Sequence, residues 1–180
     1  MAESKLKVVS FNCNGFKANH QYIVSLTQSF DVIFLCETWL LESEKQLLHN
    51  FKSDFSIYFT PGNKHDSGRP YGGNALFVRN SLVRRINLIL QEDFATIVKV
   101  DTNSLSLLLT GVYLKSSNSE NYKNLYQNQI DTISGTLSHF EECCEFVIIG
   151  DFQCCPSKPC TDRSGQPNSL SPILDTFMED

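Results

Sequence analysis

The sequence predicts an α/β fold built on two β-sheets, on three observations. Short apolar runs such as Val32-Ile33-Phe34-Leu35-Cys36 and Phe146-Val147-Ile148-Ile149 have the length and unbroken hydrophobicity of strands covered on both faces. These runs alternate with stretches of near-helical spacing, the clearest running from Asn121 to Phe140 with Leu125, Ile130, Ile133 and Leu137. Finally, Phe94–Val100 and Leu105–Tyr113 flank the turn-forming Asp101-Thr102-Asn103-Ser104, which reads as a hairpin and argues against an all-parallel sheet. Strands and helices that alternate, with hairpins interposed, favour a two-sheet α/β sandwich.

In chain order, Lys5 to Asn12 is expected as the first strand and Ala18 to Gln28 as a helix with Tyr22, Ile23 and Leu26 on one face. Asp31 to Glu37 is the second strand. Leu40 to Phe51, charged and Leu-containing, reads as a short helix. Phe55 to Thr60 is a strand that Pro61-Gly62-Asn63 ends. Gly68, Pro70, Gly72 and Gly73 make Lys64 to Gly73 a loop, after which Asn74 to Arg79 returns to strand character. Beyond the hairpin and the long helix, Phe146 to Phe152 is another strand. Gln153 to Ser171 shifts to Pro, Ser, Cys and Gly, a long loop, and Ile173 to Met178 begins a last helix. With no internal repeat and no linker, the 180 residues are expected to form a single domain spanning 1–180.

Composition narrows the function classes. Hydrophobic residues at 41% and charged residues at 19% describe a globular chain with material for a core, and not a disordered one. No apolar stretch reaches the ~18 residues a membrane helix needs. Seven Cys behind a polar start, Met1-Ala2-Glu3-Ser4-Lys5, point to thiols in a reducing, intracellular setting rather than a disulfide framework. A formal charge of −5 disfavours nucleic-acid binding by bulk charge, but leaves room for an enzyme whose metal supplies the local positive charge.

Three strand ends carry oxygen donors. Val8-Val9-Ser10-Phe11 runs into Asn12-Cys13-Asn14-Gly15, the second strand into Glu37-Thr38-Trp39, and Phe146 to Gly150 into Asp151-Phe152-Gln153. Side chains at one end of such strands gather in a crevice where sites form. A carboxylate beside a buried run needs a partner. Taken singly, Asp151 reads equally as a helix cap, Glu37 as half of an ion pair, and Asn14-Gly15 as a turn. Taken together with Asn12, they favour a hard-cation site with oxygen ligands.

Gly68-Arg69-Pro70-Tyr71-Gly72-Gly73-Asn74 combines a cation, a ring and backbone freedom, suited either to a phosphate backbone or to an ordinary loop. With Arg79, Arg84 and Arg85 it is the best basic region of an acidic chain. Tyr113 and Lys115 end a strand, either at a phosphate or as rim residues. Cys143-Cys144, Cys154-Cys155 and Cys160 lack zinc-site spacing, and His20, His49, His65 and His139 fall in no metal pattern.

The motifs Ser10-Phe11-Asn12-Cys13-Asn14-Gly15, Cys36-Glu37-Thr38-Trp39-Leu40, Tyr71 to Arg79, Gly111-Val112-Tyr113-Leu114 and Gly150-Asp151-Phe152-Gln153 occur together in one order. In this the chain resembles the endonuclease/exonuclease/phosphatase superfamily, and within it the apurinic-type endonuclease domain of non-LTR (LINE-like) retrotransposons. The resemblance implies a four-layer α/β sandwich and Mg²⁺-assisted hydrolysis of a DNA phosphodiester, with Mn²⁺ as a possible substitute. Glu37, with Asn12 and Asp151, would hold the metal. Tyr113 would contact the scissile phosphate and Asp151 would ready the water. Asn14, Arg69, Tyr71, Asn74 and Lys115 would bind the substrate, and a nuclear location would follow from action on DNA. Gln153 stands where the family carries an Asn that stabilises the transition-state phosphate. The family's late Ser-Asp-His stretch does not occur through Asp180. The expectation is therefore a domain incomplete at its C-terminus, with late strands missing, whose alternative is an inactive module that binds nucleic acid or a partner. A phosphatase-like member of the fold is a third possibility.

Overall fold

The computed structural model describes residues 5–64, 68–114, 120–154 and 170–179. The chain divides into two compact units, Met1–Tyr113 with Cys144–Asp151, and Leu114–Cys143 with Phe152–Asp180.

The first unit holds two four-stranded mixed sheets, the α/β sandwich class predicted. In the first sheet, β1 (Val8–Asn12) pairs in parallel with β2 (Val32–Cys36), and β6 (Asn74–Arg79) lies antiparallel between β2 and β3 (Phe55–Thr60). In the second, the order is β10 (Glu145–Asp151), β9 (Ser106–Tyr113), β8 (Ala95–Asp101), β7 (Arg85–Gln91), with β10 parallel to β9 and the remaining pairs antiparallel. A two-residue ribbon, β4 (Asn63–Lys64) with β5 (Pro70–Tyr71), lies within the stretch expected as a loop.

The period of two along a strand explains why β2 and β6 read as unbroken apolar runs. Val32, Phe34 and Cys36 of β2, with Leu76 and Val78 of β6, pack in one cluster with Val98, Val100 and Leu109 of the second sheet. The intervening Ile33, Leu35, Ala75 and Phe77 face a second cluster with Phe16, Ile23, Leu26, Leu48 and Phe51. Each fully buried Phe or Leu contributes about 2 kcal/mol from the area it removes from water. Two of the helical residues come from α1 (His20–Ser29), whose Ile23 and Leu26 are buried. Tyr22, expected on that face, is exposed and meets the edge of Phe11 instead. Glu42–Phe51 is a run of 3₁₀ turns, opened by Glu44 Oε2 accepting the Leu41 amide at 3.1 Å and burying Leu48 and Phe51.

β7 was not evident in the sequence. Its register against β8 shifts between Leu88 and Leu90, and such a bulge breaks the alternation that marks a strand. Arg84 and Arg85 are exposed at its start, beside Asp101 at the far end of β8. Arg79 likewise closes β6 five residues beyond Asn74, about 17 Å away at ~3.3 Å per residue. There it pairs with Asp31 at 3.1 Å, donates to the Thr27 and Phe30 carbonyls, and lies over Phe55. These three arginines therefore do not extend the basic loop at Arg69; strand direction carries them to the opposite pole.

The second unit contains α2 (Glu120–Ser138) and α3 (Ser171–Glu179). On α2 the buried positions are Tyr122, Tyr126, Gln129, Ile130, Ile133 and Leu137, whereas Leu125 is exposed. The Tyr126 hydroxyl donates to the Phe152 carbonyl at 3.0 Å. On α3, Leu174 and Phe177 are buried. Among the described residues, no helix is long and apolar enough to cross a membrane.

Candidate active site

The chemistry-bearing residues of the first unit lie at one pole because the register puts them there. Asn12 is level with Cys36 at the ends of β1 and β2, Asn74 opposes Cys36 across the β2–β6 pair, and Asp151 is level with Tyr113 at the ends of β10 and β9. The Asn12 amide donates from Nδ2 to Asp151 Oδ2 at 3.3 Å, and Asn12 Oδ1 accepts the Asn14 amide at 3.2 Å.

The backbone past β2 is held on both sides. On one side, Cys13, Gly15 and Phe16 donate their amides to the carbonyls of Cys36, Glu37 and Thr38 at 2.8–2.9 Å. On the other, Thr38 and Trp39 donate theirs to Gly73 and Gly72 at 3.1 and 2.9 Å. Strapped this way, Glu37 and Trp39 both adopt left-handed backbone at φ 55°, and Asn14 does so at φ 41°. Such conformations cost a non-glycine residue about 1–3 kcal/mol and persist where the surroundings over-determine them. Gly15, at φ 102°, admits the Trp39 ring so closely that a Cβ would stand 2.7 Å from it. Gly73, at φ 80°, would place one 2.6 Å from the Thr38 hydroxyl.

Glu37 gathers three donors. Oε1 accepts the Tyr113 hydroxyl; Oε2 accepts the Trp39 indole N–H at 2.7 Å and the Gly72 amide at 3.1 Å. All three are neutral, so none of them cancels the charge of a carboxylate. Burial, followed by the hydrogen bond to Glu37 and the charges of Glu37 and Asp151, holds the Tyr113 phenol far above its ordinary range. Tyr113 is thus a neutral donor. Cys36, raised by burial and then by the Asp151 charge, and Cys13, pushed up to about 11 by burial, stay thiols. The Cys13 thiol lies within 3.3 Å of the Cys36 and Glu37 carbonyls.

A cleft of about 630 Å³ opens here, lined by Asn12, Asn14, Glu37, Trp39, Arg69, Pro70 and Tyr71. The Arg69 guanidinium lies over the Trp39 ring at 4.2 Å. Asn74 does not line the cleft: it is fully buried, its Nδ2 donating to the Asp93 carbonyl at 3.1 Å and its Oδ1 accepting the Thr96 hydroxyl at 3.2 Å. That expected substrate contact is instead a tie from β6 to β8. Gln153, with left-handed backbone at φ 58°, belongs to the second unit. Lys115, His65, Cys155 and Cys160 lie outside the described residues. Trp39, as the holder of Glu37, was missed in the sequence, although it is the chain's only Trp and stands two residues from that carboxylate.

Among the described residues, no group of three or more His, Cys, Asp and Glu is placed to hold a metal ion. The donors at this pole are two carboxylates and an amide oxygen. An all-oxygen set with one or two carboxylates suits Mg²⁺, which keeps several of its waters.

The family model that matches this chain supports a phosphodiesterase- or nuclease-type domain, and the fold agrees with it. The chain belongs to the Endonuclease/Exonuclease/phosphatase family, whose model matches residues 9–159. Solved structures share the fold at low identity. One is a variant of the 3′ phosphatase NExo from Neisseria bound to a product DNA hairpin, at 13% identity and TM-score 0.69, covering 97% of this chain and 71% of that one. An AP endonuclease from Archaeoglobus fulgidus gives 14% and 0.62, covering 97% and 70%. TDP2 of D. rerio, complexed with a single-strand DNA product, gives 19% and 0.60, covering 85% and 62%. The chain thus spans about six to seven tenths of the length of these three proteins. No curated protein sequence is significantly similar to it.

Proposed function

We propose that this chain is a divalent-metal-dependent DNA endonuclease domain of the apurinic type carried by LINE-like retrotransposons, using Mg²⁺ or Mn²⁺. The observation that carries the reading is the convergence of Asn12, Glu37, Tyr113 and Asp151, drawn from the strand ends of both sheets. The order of the five motifs from Ser10 to Gln153 supports the subtype. The bound DNA named for two of the structurally similar proteins supports the substrate class.

When bound, the metal polarises the phosphoryl oxygens and neutralises developing charge. Glu37 would hold it, and the Asn12 amide oxygen and Asp151 would supply further oxygen donors. Tyr113, kept protonated, would turn its single O–H from Glu37 Oε1 to a phosphate oxygen, leaving Oε1 free as a metal donor. Asp151, oriented by Asn12, accepts a proton from the attacking water. Arg69 and Tyr71 at the cleft mouth meet the DNA backbone and a base or sugar face.

A plasmid-nicking assay with Mg²⁺ tests this, with Glu37→Gln and Asp151→Asn as controls. Nicking by the wild type that both controls abolish, and that EDTA stops without unfolding the protein, is the expected result. A folded wild type that never nicks at any Mg²⁺ or Mn²⁺ concentration overturns the enzyme and leaves a nucleic-acid-binding module.

A further inference from the structure

We propose that Trp39 is a positioning residue that serves both halves of the site, holding the metal-binding carboxylate of Glu37 with its edge and the DNA-facing guanidinium of Arg69 on its face. The inference rests on the reading of Glu37 as the cation-binding carboxylate.

Three observations carry it. The indole N–H donates to Glu37 Oε2 at 2.7 Å, the shorter of that oxygen's two bonds, and it comes from a rigid ring. The Arg69 guanidinium carbon lies 4.2 Å from the ring centroid, and Arg69 is exposed at the cleft mouth. The ring itself cannot drift: Gly15 abuts it, the Trp39 amide is tied to the Gly72 carbonyl at 2.9 Å, and the residue is held in left-handed backbone. One side chain thus fixes both the direction of a carboxylate lone pair and the place of a cation that would otherwise swing on a long flexible stem. A ring face holds a guanidinium with a geometry that water does not supply. Neutral donors behind a metal-binding carboxylate orient it without cancelling its charge.

The two tasks separate by substitution. Trp39→Phe keeps a ring under Arg69 and removes the N–H. Trp39→Leu removes both. Arg69→Gln removes only the cation. Mn²⁺ affinity is read from the free-ion electron paramagnetic resonance signal. DNA affinity is read in EDTA from the fluorescence anisotropy of a labelled duplex, and folding from circular dichroism. Trp39→Phe is expected to weaken Mn²⁺ about tenfold, within the range for lost partners of metal ligands, and to leave DNA affinity close to that of the wild type. Arg69→Gln should weaken DNA severalfold and leave Mn²⁺ unchanged. Trp39→Leu should weaken both. Activity follows the same division, with the metal requirement raised in Trp39→Phe and KM for DNA raised in Arg69→Gln.

A wild type that binds Mn²⁺, beside a folded Trp39→Phe that binds it equally well, overturns the inference and leaves the metal reading standing. A Trp39→Leu variant that loses only one of the two affinities overturns the dual role. A wild type that binds no Mn²⁺ overturns the metal reading and this inference with it.

Discussion

Asn12 and Asp151 are 139 residues apart in the chain, yet the amide of one donates to the carboxylate of the other at 3.3 Å. One closes β1 in the first sheet and the other closes β10 in the second. The bond links the sheets at the pole where the cleft opens and aims a carboxylate oxygen. Asn12→Ala removes the aim without opening the core, because Asn12 is exposed. Stability should fall by no more than about 1 kcal/mol, the net worth of one hydrogen bond. Nicking should fall about 100-fold, the cost of a misplacement near 1 Å. Parallel urea titrations and initial-rate measurements check the pair of outcomes.

Tyr113→Phe leaves Glu37 Oε1 without its phenolic donor. The ring still fills its buried place between the sheets, so the expected loss of stability is only about 1 kcal/mol. Activity should fall much further than stability, because the same hydroxyl is the proposed donor to phosphate. A variant as active as the wild type would remove Tyr113 from the site.

Buried acids that stay protonated give the stability an alkaline limit. A thiol titrates ordinarily at 9.0, and burial pushes Cys13 up to about 11. Between those values the native state retains a proton that the unfolded chain has released, so stability is complete below pH 9 and declines as the pH rises toward 11. At ~1.4 kcal/mol per unit, Cys13 alone accounts for a loss on the order of 3 kcal/mol. Cys36 and Tyr113 are shifted in the same direction and steepen the fall. Denaturation midpoints from pH 8 to 11 should descend, and Cys13→Ala should flatten the lower part of the descent.

Exposure sorts the thiols. Cys13 and Cys36 are fully buried, whereas Cys143 is exposed. Iodoacetamide should alkylate Cys143 in the folded protein long before Cys13 or Cys36, as peptide mass analysis against time would show. Equal rates would mean that the β1–β2 end opens freely.

Gly15→Ala drives a Cβ to 2.7 Å from the Trp39 ring at a φ of 102° that alanine rarely adopts. The expected cost is about 1–3 kcal/mol, together with a shift in the emission of the single tryptophan. Gly72→Ala, with nothing within 4 Å of its Cβ position, keeps only the backbone part of that cost and should leave the emission unchanged.

Much of the first unit was legible in the sequence because burial on both faces writes itself into composition: β2 and β6 are unbroken apolar runs for that reason. Of the candidate site, Asn12, Glu37, Tyr113 and Asp151 stood out in the sequence because polar groups at the ends of such runs are conspicuous, and the register places them at one pole. β7 was hidden by its bulge. Tyr126, rather than Leu125, is buried on α2, where a Tyr can bury its ring and still bond through its hydroxyl, here to the Phe152 carbonyl. Asn74 looked available because a sequence cannot show that both ends of an amide are taken inside the fold.

By itself, the sequence determined the class of fold, most of its longer strands and the oxygen-bearing residue types at their ends. Those follow from local hydrophobic period and residue type. Tertiary structure alone decided which of the candidates meet. Antiparallel pairing sent Arg79, Arg84 and Arg85 to the far pole, register brought Asn12 to Asp151, and a strapped left-handed turn set Trp39 between Glu37 and Arg69. Such relations depend on pairing partners tens to more than a hundred residues away, and no local pattern encodes that distance.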